Sequence, residues 1–354
     1  MSFAKVNCHG ERMNSVKKRF LITGGTGFLG KEVLALLKKN SDFEIDIISR
    51  KSKAALKGDL SKWNAGLDLQ KLKSNKYDVF LHMAALYDLK ATRVEIFNSN
   101  VAGTNTALKI AQELEIPIFI NTSSIAAATN FTKKEVTAYE IDLSRPFPDP
   151  YAESKALNEE QIKNWNNSKQ LKVNLRLGIL VGHSQTGLIE RVDGPYAAAP
   201  VFHKLKDWMT SWPFAIPLPG NPDVRMPFVP VDAAAYAVIK MCEWSLTNKN
   251  YGYKSFHIVP ENGVSAVDFY QSALDHFQIQ DKKINLVSKI PKPILGKISQ
   301  LLFNFPEEQL KYLLSLPRYN SLETREILGS KWCPEFNSYK NVFWSGYEKY
   351  ISNR

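Results

Sequence analysis

Residues 19 to 30 read Arg-Phe-Leu-Ile-Thr-Gly-Gly-Thr-Gly-Phe-Leu-Gly, a short apolar run followed by glycines at 24, 27 and 30. Gly25 adds a G-x-G-x-x-G to the same turn, and a helical pattern of Leu29, Val33, Leu34, Leu36 and Leu37 starts at once. Glycines at this spacing let the backbone turn tightly and approach a pyrophosphate, which then sits on a helix N-terminus where free N–H groups favour negative charge. Strand, glycine turn and helix in that order predict a dinucleotide site. About twenty positions on, Arg50 follows the run Phe43 to Ser49, beside Lys51. A cation there suits the 2′-phosphate of NADP, whereas NAD calls for an acid, so NADP is the expected cofactor and NAD the less favoured one. Further along, Asn121-Thr122-Ser123-Ser124 place hydroxyls after the apolar run Ile118 to Ile120, where open α/β sheets bind ligands. Tyr151 and Lys155 are four apart and share one face of a helix that follows Pro150.

The elements that must position these residues alternate between strand and helix. Strands are expected at 20–22, 43–49, 77–82, 118–120, 173–181 and 256–259, and a long helix over 93–114. Ala84 and Ala85 follow the third of these strands, small enough for a flat ligand to lie against backbone. His82 lies within an apolar run and reads as a packed core histidine. Helices are also expected over 231–244, 265–277, 294–303 and 338–351. The fold class is therefore α/β, a Rossmann doubly wound parallel sheet with a smaller, mostly helical C-terminal substrate-binding region. Residues 1–17 read as a loose leader with Met13 as an alternative start, 18–182 as the nucleotide-binding domain and 183–354 as the substrate region, with 229–260 returning to the first.

At 354 residues, 44% hydrophobic and 23% charged, the chain has the composition of a globular protein. Its net charge of +11 comes from scattered lysines, without a nucleic-acid module, so no nucleic-acid partner is expected. Three distant cysteines and six dispersed histidines make no metal-ligand spacing, and no metal is expected. With no signal-peptide pattern and no long apolar span, a cytoplasmic location is expected. Eight of the eighteen prolines fall between Pro195 and Pro230, among Trp208, Trp212, Phe214 and Phe228. Such a stretch suits a wall or lid over an apolar ligand, or equally a stiffened packing loop. Lysines 282, 283, 289, 292 and 297 flank an apolar stripe from Ile294 to Phe305. That pattern fits a helix on its own core or, alternatively, peripheral contact with an anionic membrane.

With these residues in hand, the chain resembles the extended branch of the short-chain dehydrogenase/reductases over about residues 18 to 260. The resemblance rests on TGGTGFLG at 23–30, GDL at 58–60, HMAA at 82–85, NVAGT at 100–104, TSS at 122–124 and YAESK at 151–155. Within that branch AALYDL (84–89), ILVGHSQTG (179–187) and VPVD (229–232) are most similar to the thioester-reductase and fatty-acyl-reductase group. The resemblance implies Tyr151 as acid/base, Lys155 as the cation that lowers its pKa and bonds the nicotinamide ribose, and Ser124 as the donor to the substrate oxygen. It also implies that Gly24, Thr26, Gly27, Phe28 and Leu29 hold the pyrophosphate and that Asp59 and Leu60 flank the adenine. Ala84 and Ala85 would line the cleft, with Leu177, Gly178 and Ile179 at the nicotinamide end. Leu177 departs from the proline that many extended members carry there.

The expected function is NADPH-dependent reduction of a carbonyl or acyl-thioester on an apolar, lipid-like substrate, acyl-CoA or acyl carrier included, by a monomer or homodimer. The alternatives are a nucleotide-sugar epimerase or dehydratase with retained cofactor, and a non-catalytic NADP-sensing protein.

Overall fold

The computed structural model describes residues 17–50, 56–88, 91–132, 134–248, 250–288 and 312–353. The apolar runs become strands of one sheet: β1 (Lys18–Thr23), β2 (Phe43–Ser49), β3 (Leu56–Lys57), β4 (Val79–His82), β5 (Ile118–Ser124), β6 (Leu171–Leu177) and β7 (Gly252–Ile258). Their order is β7-β6-β5-β4-β1-β2-β3, and every pair is parallel. Phe20, Leu21, Ile22, Val79, Phe80 and Leu81 have no exposed surface, because both faces of the sheet are covered. This is why their sequence is continuously apolar rather than alternating. The strand order reverses between β1 and β4, which opens a crevice at their carboxyl ends.

The major helices are α1 (Phe28–Leu37), α2 (Gly103–Glu113), α3 (Pro150–Lys163), α4 (Ala199–Ser211), α5 (Val231–Thr247), α6 (Ala266–His276) and α7 (Phe336–Ser352). On one face of the sheet, Val33 and Leu37 of α1 pack with Ala234 and Val238 of α5 against Phe20, Ile22 and Val173. On the other, Leu108 and Ala111 of α2 meet Leu21, Phe80 and Phe119. A third, largely aromatic cluster forms the smaller lobe, in which Phe202, Phe228, Phe269, Phe343 and Trp344 interlock. Strand β7 pairs with β6 through Ser255 and Asn174, so the chain re-enters the sheet after building part of that lobe.

Two expectations are corrected. The helix expected over 93–114 is interrupted by a π turn at Asn98–Ala102. There Asn100 turns inward, accepting from Leu86 N at 2.7 Å and donating to Leu86 O at 3.1 Å and Ser154 Oγ at 3.0 Å. The extra residue in the turn thus ties the loop after β4 to α3, a use typical of π turns near functional sites. The strand expected over 173–181 is two strands. At Gly178 the chain leaves the sheet, and Ile179–Val181 pairs instead with Phe228–Pro230. A Cβ on Gly178 would lie 2.5 Å from Pro227 O, so only glycine allows that exchange of partners. The proline- and aromatic-rich stretch, read as either a wall or a packing loop, divides between the two. Phe202 and Met209 are core, Trp208 and Phe214 are exposed, and Pro195, Tyr196, Met226 and Phe228 face the cavity described below. The apolar stripe expected over 294–305 lies outside the described residues.

Candidate active site

The carboxyl ends of β1, β4, β5 and β6 open onto a cavity of about 360 Å³ between the sheet and the aromatic lobe. Its floor begins at the glycine turn. Gly24 has φ +76°, and a Cβ there would stand 2.4 Å from Ala84 N, so the turn presses on the backbone leaving β4. A Cβ on Gly30 would come within 2.2 Å of Gly24 O, which fixes how closely α1 follows the turn. Gly27 caps α1 with extended backbone, no side chain fills the cap and no acid lies in the first turn. The helix end is left with unpaired N–H groups and a positive dipole end beside the cavity, a fitting seat for a cofactor pyrophosphate.

Of the residues expected at this end, Gly24, Gly27, Phe28, Leu29 and Ala85 line the cavity, while Ala84 stands behind it against Gly24. Thr26 is exposed at the turn and does not line it. Arg50, Asp59 and Leu60 are also outside the lining, near one another beyond β2 and β3. Arg50 is exposed. Asp59 accepts from Ser61 N at 3.1 Å and Ser61 Oγ at 2.9 Å, and these bonds hold its carboxyl below the usual range, with Arg50 and Lys62 adding to the effect. Leu60 is half-buried against Gly103.

At the opposite end Ser124, Tyr151, Lys155, Leu177 and Ile179 all line the cavity. Asp149 caps α3, accepting from Ala152 N at 2.8 Å, and Pro150 stands at its first position, which starts the helix just before Tyr151. One turn later Lys155 is buried, donating to Thr122 O at 2.9 Å, with its Nζ 5.8 Å from the centre of the Tyr151 ring. Ser124 ends β5 and accepts from Ala126 N at 3.2 Å, within hydrogen-bonding reach of Tyr151. His82 is core as expected, held between Thr23 Oγ1 at 2.7 Å and Thr104 Oγ1 at 3.0 Å, and burial pushes it down to about 3.

Burial dominates the electrostatics of Tyr151 and Lys155. Burial pushes the Tyr151 hydroxyl up to about 12, against the smaller opposing effect of Ser124. Burial also pushes Lys155 down to about 8, opposed by Glu159. Burial thus opposes the charged form of both side chains.

Several residues around the site escaped the sequence reading. Glu159 and Arg176 are fully buried and paired at 2.6 Å. Ser123 Oγ donates to Glu159 at 2.5 Å, and Arg176 reaches Glu140 O at 2.7 Å. Glu159 lies four residues past Lys155 on the same helix face, and Arg176 interrupts an apolar strand. Those were the available signals. Tyr87 meets Tyr151 edge to face at 4.8 Å, and Arg191, Asp193 and Tyr312 complete the rim. Tyr87 falls within the AALYDL run, whereas nothing in the local sequence marked Arg191, Asp193 or Tyr312, which the fold brings together from distant segments. Among the described residues no group of three His, Cys, Asp or Glu is placed to hold a metal ion. No helix among them is long and apolar enough to cross a membrane.

The fold has solved relatives. The terminal R domain of the myxalamid PKS-NRPS pathway superposes with a TM-score of 0.72 at 18% identity, over 96% of this chain and 92% of that one. A UDP-glucose-4-epimerase from Stenotrophomonas maltophila, with bound NAD, superposes at 0.66 and 14% identity over 95% and 100%. By sequence, a 3 beta-hydroxysteroid dehydrogenase/Delta 5-->4-isomerase of Monkeypox virus is 30% identical over 172 residues, 42% of this chain. The aligned part is 46% of the viral protein, less than half its length. A family model, that of the male sterility protein, matches residues 47–238, from within β2 to within α5. This match spans more than half of the chain, and together with the sheet order and the glycine turn it identifies the protein as a member of the male sterility protein family, an NAD(P)-binding family of the extended short-chain dehydrogenase/reductase type.

Proposed function

We propose that the protein is an NADPH-dependent reductase of carbonyl or acyl-thioester groups on apolar substrates, with Tyr151 as the acid. The observation that carries this reading is the convergence of Ser124, Tyr151 and Lys155 on a cavity whose far wall is Met226, Phe228, Phe269 and Leu313. A bound nicotinamide would supply hydride. The glycine cradle and the uncapped α1 N-terminus fit its pyrophosphate, and Lys155 is within reach of the cleft for the ribose. Ser124 would donate to the substrate oxygen as negative charge grows there. Tyr151, held protonated by burial, has at neutral pH the proton that a forming alkoxide needs, which favours the reductive direction. Arg50 would meet the 2′-phosphate at the exposed end. The apolar wall favours a lipid-like acyl chain over a nucleotide sugar.

The test is NADPH oxidation against a panel of acyl-CoAs, aldehydes, ketones and steroids, with the Tyr151→Phe variant alongside. Turnover of at least one member is expected, falling by about 10²-fold or more in the variant while NADPH still binds. Wild-type turnover in Tyr151→Phe would remove the acid from the scheme. NAD that co-purifies and does not exchange would point to the epimerase reading instead.

A further inference from the structure

The outer side of the aromatic lobe carries apolar groups that its own core does not use. In α4 Phe202, Leu205 and Met209 pack into the lobe, while Lys204, Trp208 and Ser211 follow one another at helical spacing on the solvent side. Trp208 is thus 44% exposed on a face that is otherwise polar. Past the helix the chain reads Trp-Pro-Phe-Ala-Ile-Pro over 212–217, and Phe214 is 70% exposed between the exposed Pro213 and Pro217. Trp212 joins the two, its ring 5.0 Å from that of Trp208 and 6.0 Å from that of Phe214, and it packs against the lobe's core. Cations border the cluster. Lys204 lies one turn before Trp208, Lys282 Nζ donates to Trp212 O at 2.8 Å, and Lys283 O accepts from Ile216 N at 2.8 Å. Lys206 reaches Gln278 Oε1 at 3.5 Å, and the acids alongside are Asp207 and Asp281.

We propose that this cluster is a docking surface for the headgroup region of an anionic lipid bilayer. Single exposed apolar side chains need no explanation, but three aromatic rings in contact, two of them exposed, form a patch with a use. Tryptophan favours the boundary between membrane and water, where its ring is apolar-seated and its N–H stays hydrated. Phe214 is the side chain that would enter the acyl region, and burying it there supplies the apolar part of the attraction. The prolines on either side fix the loop beforehand, so little conformational freedom is lost on insertion. Lys204, Lys206, Lys282 and Lys283 outnumber Asp207 and Asp281, which leaves a positive collar around the apolar tip. That is the charge complement of an anionic surface. It is a poor complement for a second copy of a chain whose net charge is +11. Trp208, Trp212 and Phe214 lie outside the lining of the cavity, so the surface is separate from the candidate active site and stands whichever substrate is reduced. It is also distinct from the stripe over 294–305.

The test is co-sedimentation of the full chain with phosphatidylcholine vesicles that contain phosphatidylserine, and with phosphatidylcholine vesicles alone, at low and high salt. Wild type should pellet with the anionic vesicles at low salt and be released by high salt or by omission of phosphatidylserine. Phe214→Ser should lower the partition coefficient by about tenfold or more, and Phe214→Trp should keep it. Lys204→Glu combined with Lys283→Glu should lower it on anionic vesicles by about tenfold or more. Unchanged thermal unfolding of these surface variants checks that the lobe stays folded, and Trp208→Gln, on a separate element, reads the same loss a second time. Wild type left in the supernatant at low salt would overturn the proposal. Aromatic or lysine variants that pellet as wild type does would overturn it too, since binding would then run through another surface. Sedimentation velocity without lipid covers the remaining outcome: a dimer that forms with rising concentration and is lost in Phe214→Ser would assign the patch to a second copy of the chain instead.

Discussion

The two ends of the cofactor cleft are built differently. At the end proposed for the nicotinamide Lys155, Ser123, Glu159 and Arg176 are buried, and each is held by bonds of 2.5–3.0 Å to its neighbours. At the end proposed for the adenine Arg50 is exposed, and the Asp59 carboxylate accepts from Ser61, two residues on. The hydride and proton transfer proposed at the first end would demand fixed distances, and a second set of buried groups holds the side chains in place. The 2′-phosphate recognition proposed for Arg50 would need charge more than exact placement, for which a solvated cation would suffice. Stiffness follows the chemistry, and the following substitutions test that difference in descending order of effect.

The largest effect is expected at the buried pair. Arg176→Met leaves the Glu159 side chain without exposed surface and without its ion-pair partner, and removing one partner of such a pair costs about 3–5 kcal/mol. Urea unfolding should show that loss. A change below about 1 kcal/mol would mean that the nicotinamide end is not locked in this way.

Next comes the glycine turn, where the two ends meet. Gly24→Ala puts a Cβ against backbone atoms of Met83 and Ala84 at a φ of +76°, where no side-chain movement relieves it. Strain and overpacking together should cost about 2–4 kcal/mol in stability. NADPH affinity, measured by titration, should fall in the same variant, since the turn carries the α1 N-terminus.

At the adenine end Arg50→Asp should leave the fold intact and weaken NADPH by about 1.5–3 kcal/mol while sparing NADH, the scale of one charge-assisted hydrogen bond. Calorimetric titration of both cofactors separates the outcomes. Equal loss for both would show that Arg50 acts on something other than the 2′-phosphate.

How much of this the sequence made legible follows the same division. Strand positions were readable because a sheet covered on both faces writes itself as unbroken apolar runs, as in Phe20 to Ile22. The glycine turn was readable because Gly24 and Gly30 have no alternative at their contacts. The motif residues Ser124, Tyr151 and Lys155 were found, but not their electrostatics, because burial is a property of the assembled site. The aromatic lobe was harder still: Phe228, Phe269 and Phe343 meet across more than a hundred residues, and no local period marks them. The π turn at Asn98–Ala102 lies in a segment that reads as plain helix. Only its partners Leu86 and Ser154, distant in sequence, explain it.

The smallest expected change has the opposite sign. Lys155 is buried, and its folded-state pKa of about 8 lies below the ordinary 10.5. Below pH 8 both the folded and the unfolded chain carry the proton, and the folded chain bears the cost of a buried charge. Between 8 and 10.5 the folded protein has released its proton while the unfolded chain still holds one, so wild type gains stability as pH rises through that window. Lys155→Met removes the charge altogether. It also strips Thr122 O of a donor, which offsets part of the gain. The net expectation is a protein about 1 kcal/mol more stable than wild type at pH 7, with the advantage gone by pH 10.5, and with little or no turnover. Thermal unfolding at pH 7 and pH 10 provides the comparison. A variant less stable than wild type at pH 7 would mean that Lys155 holds the nicotinamide end together rather than straining it.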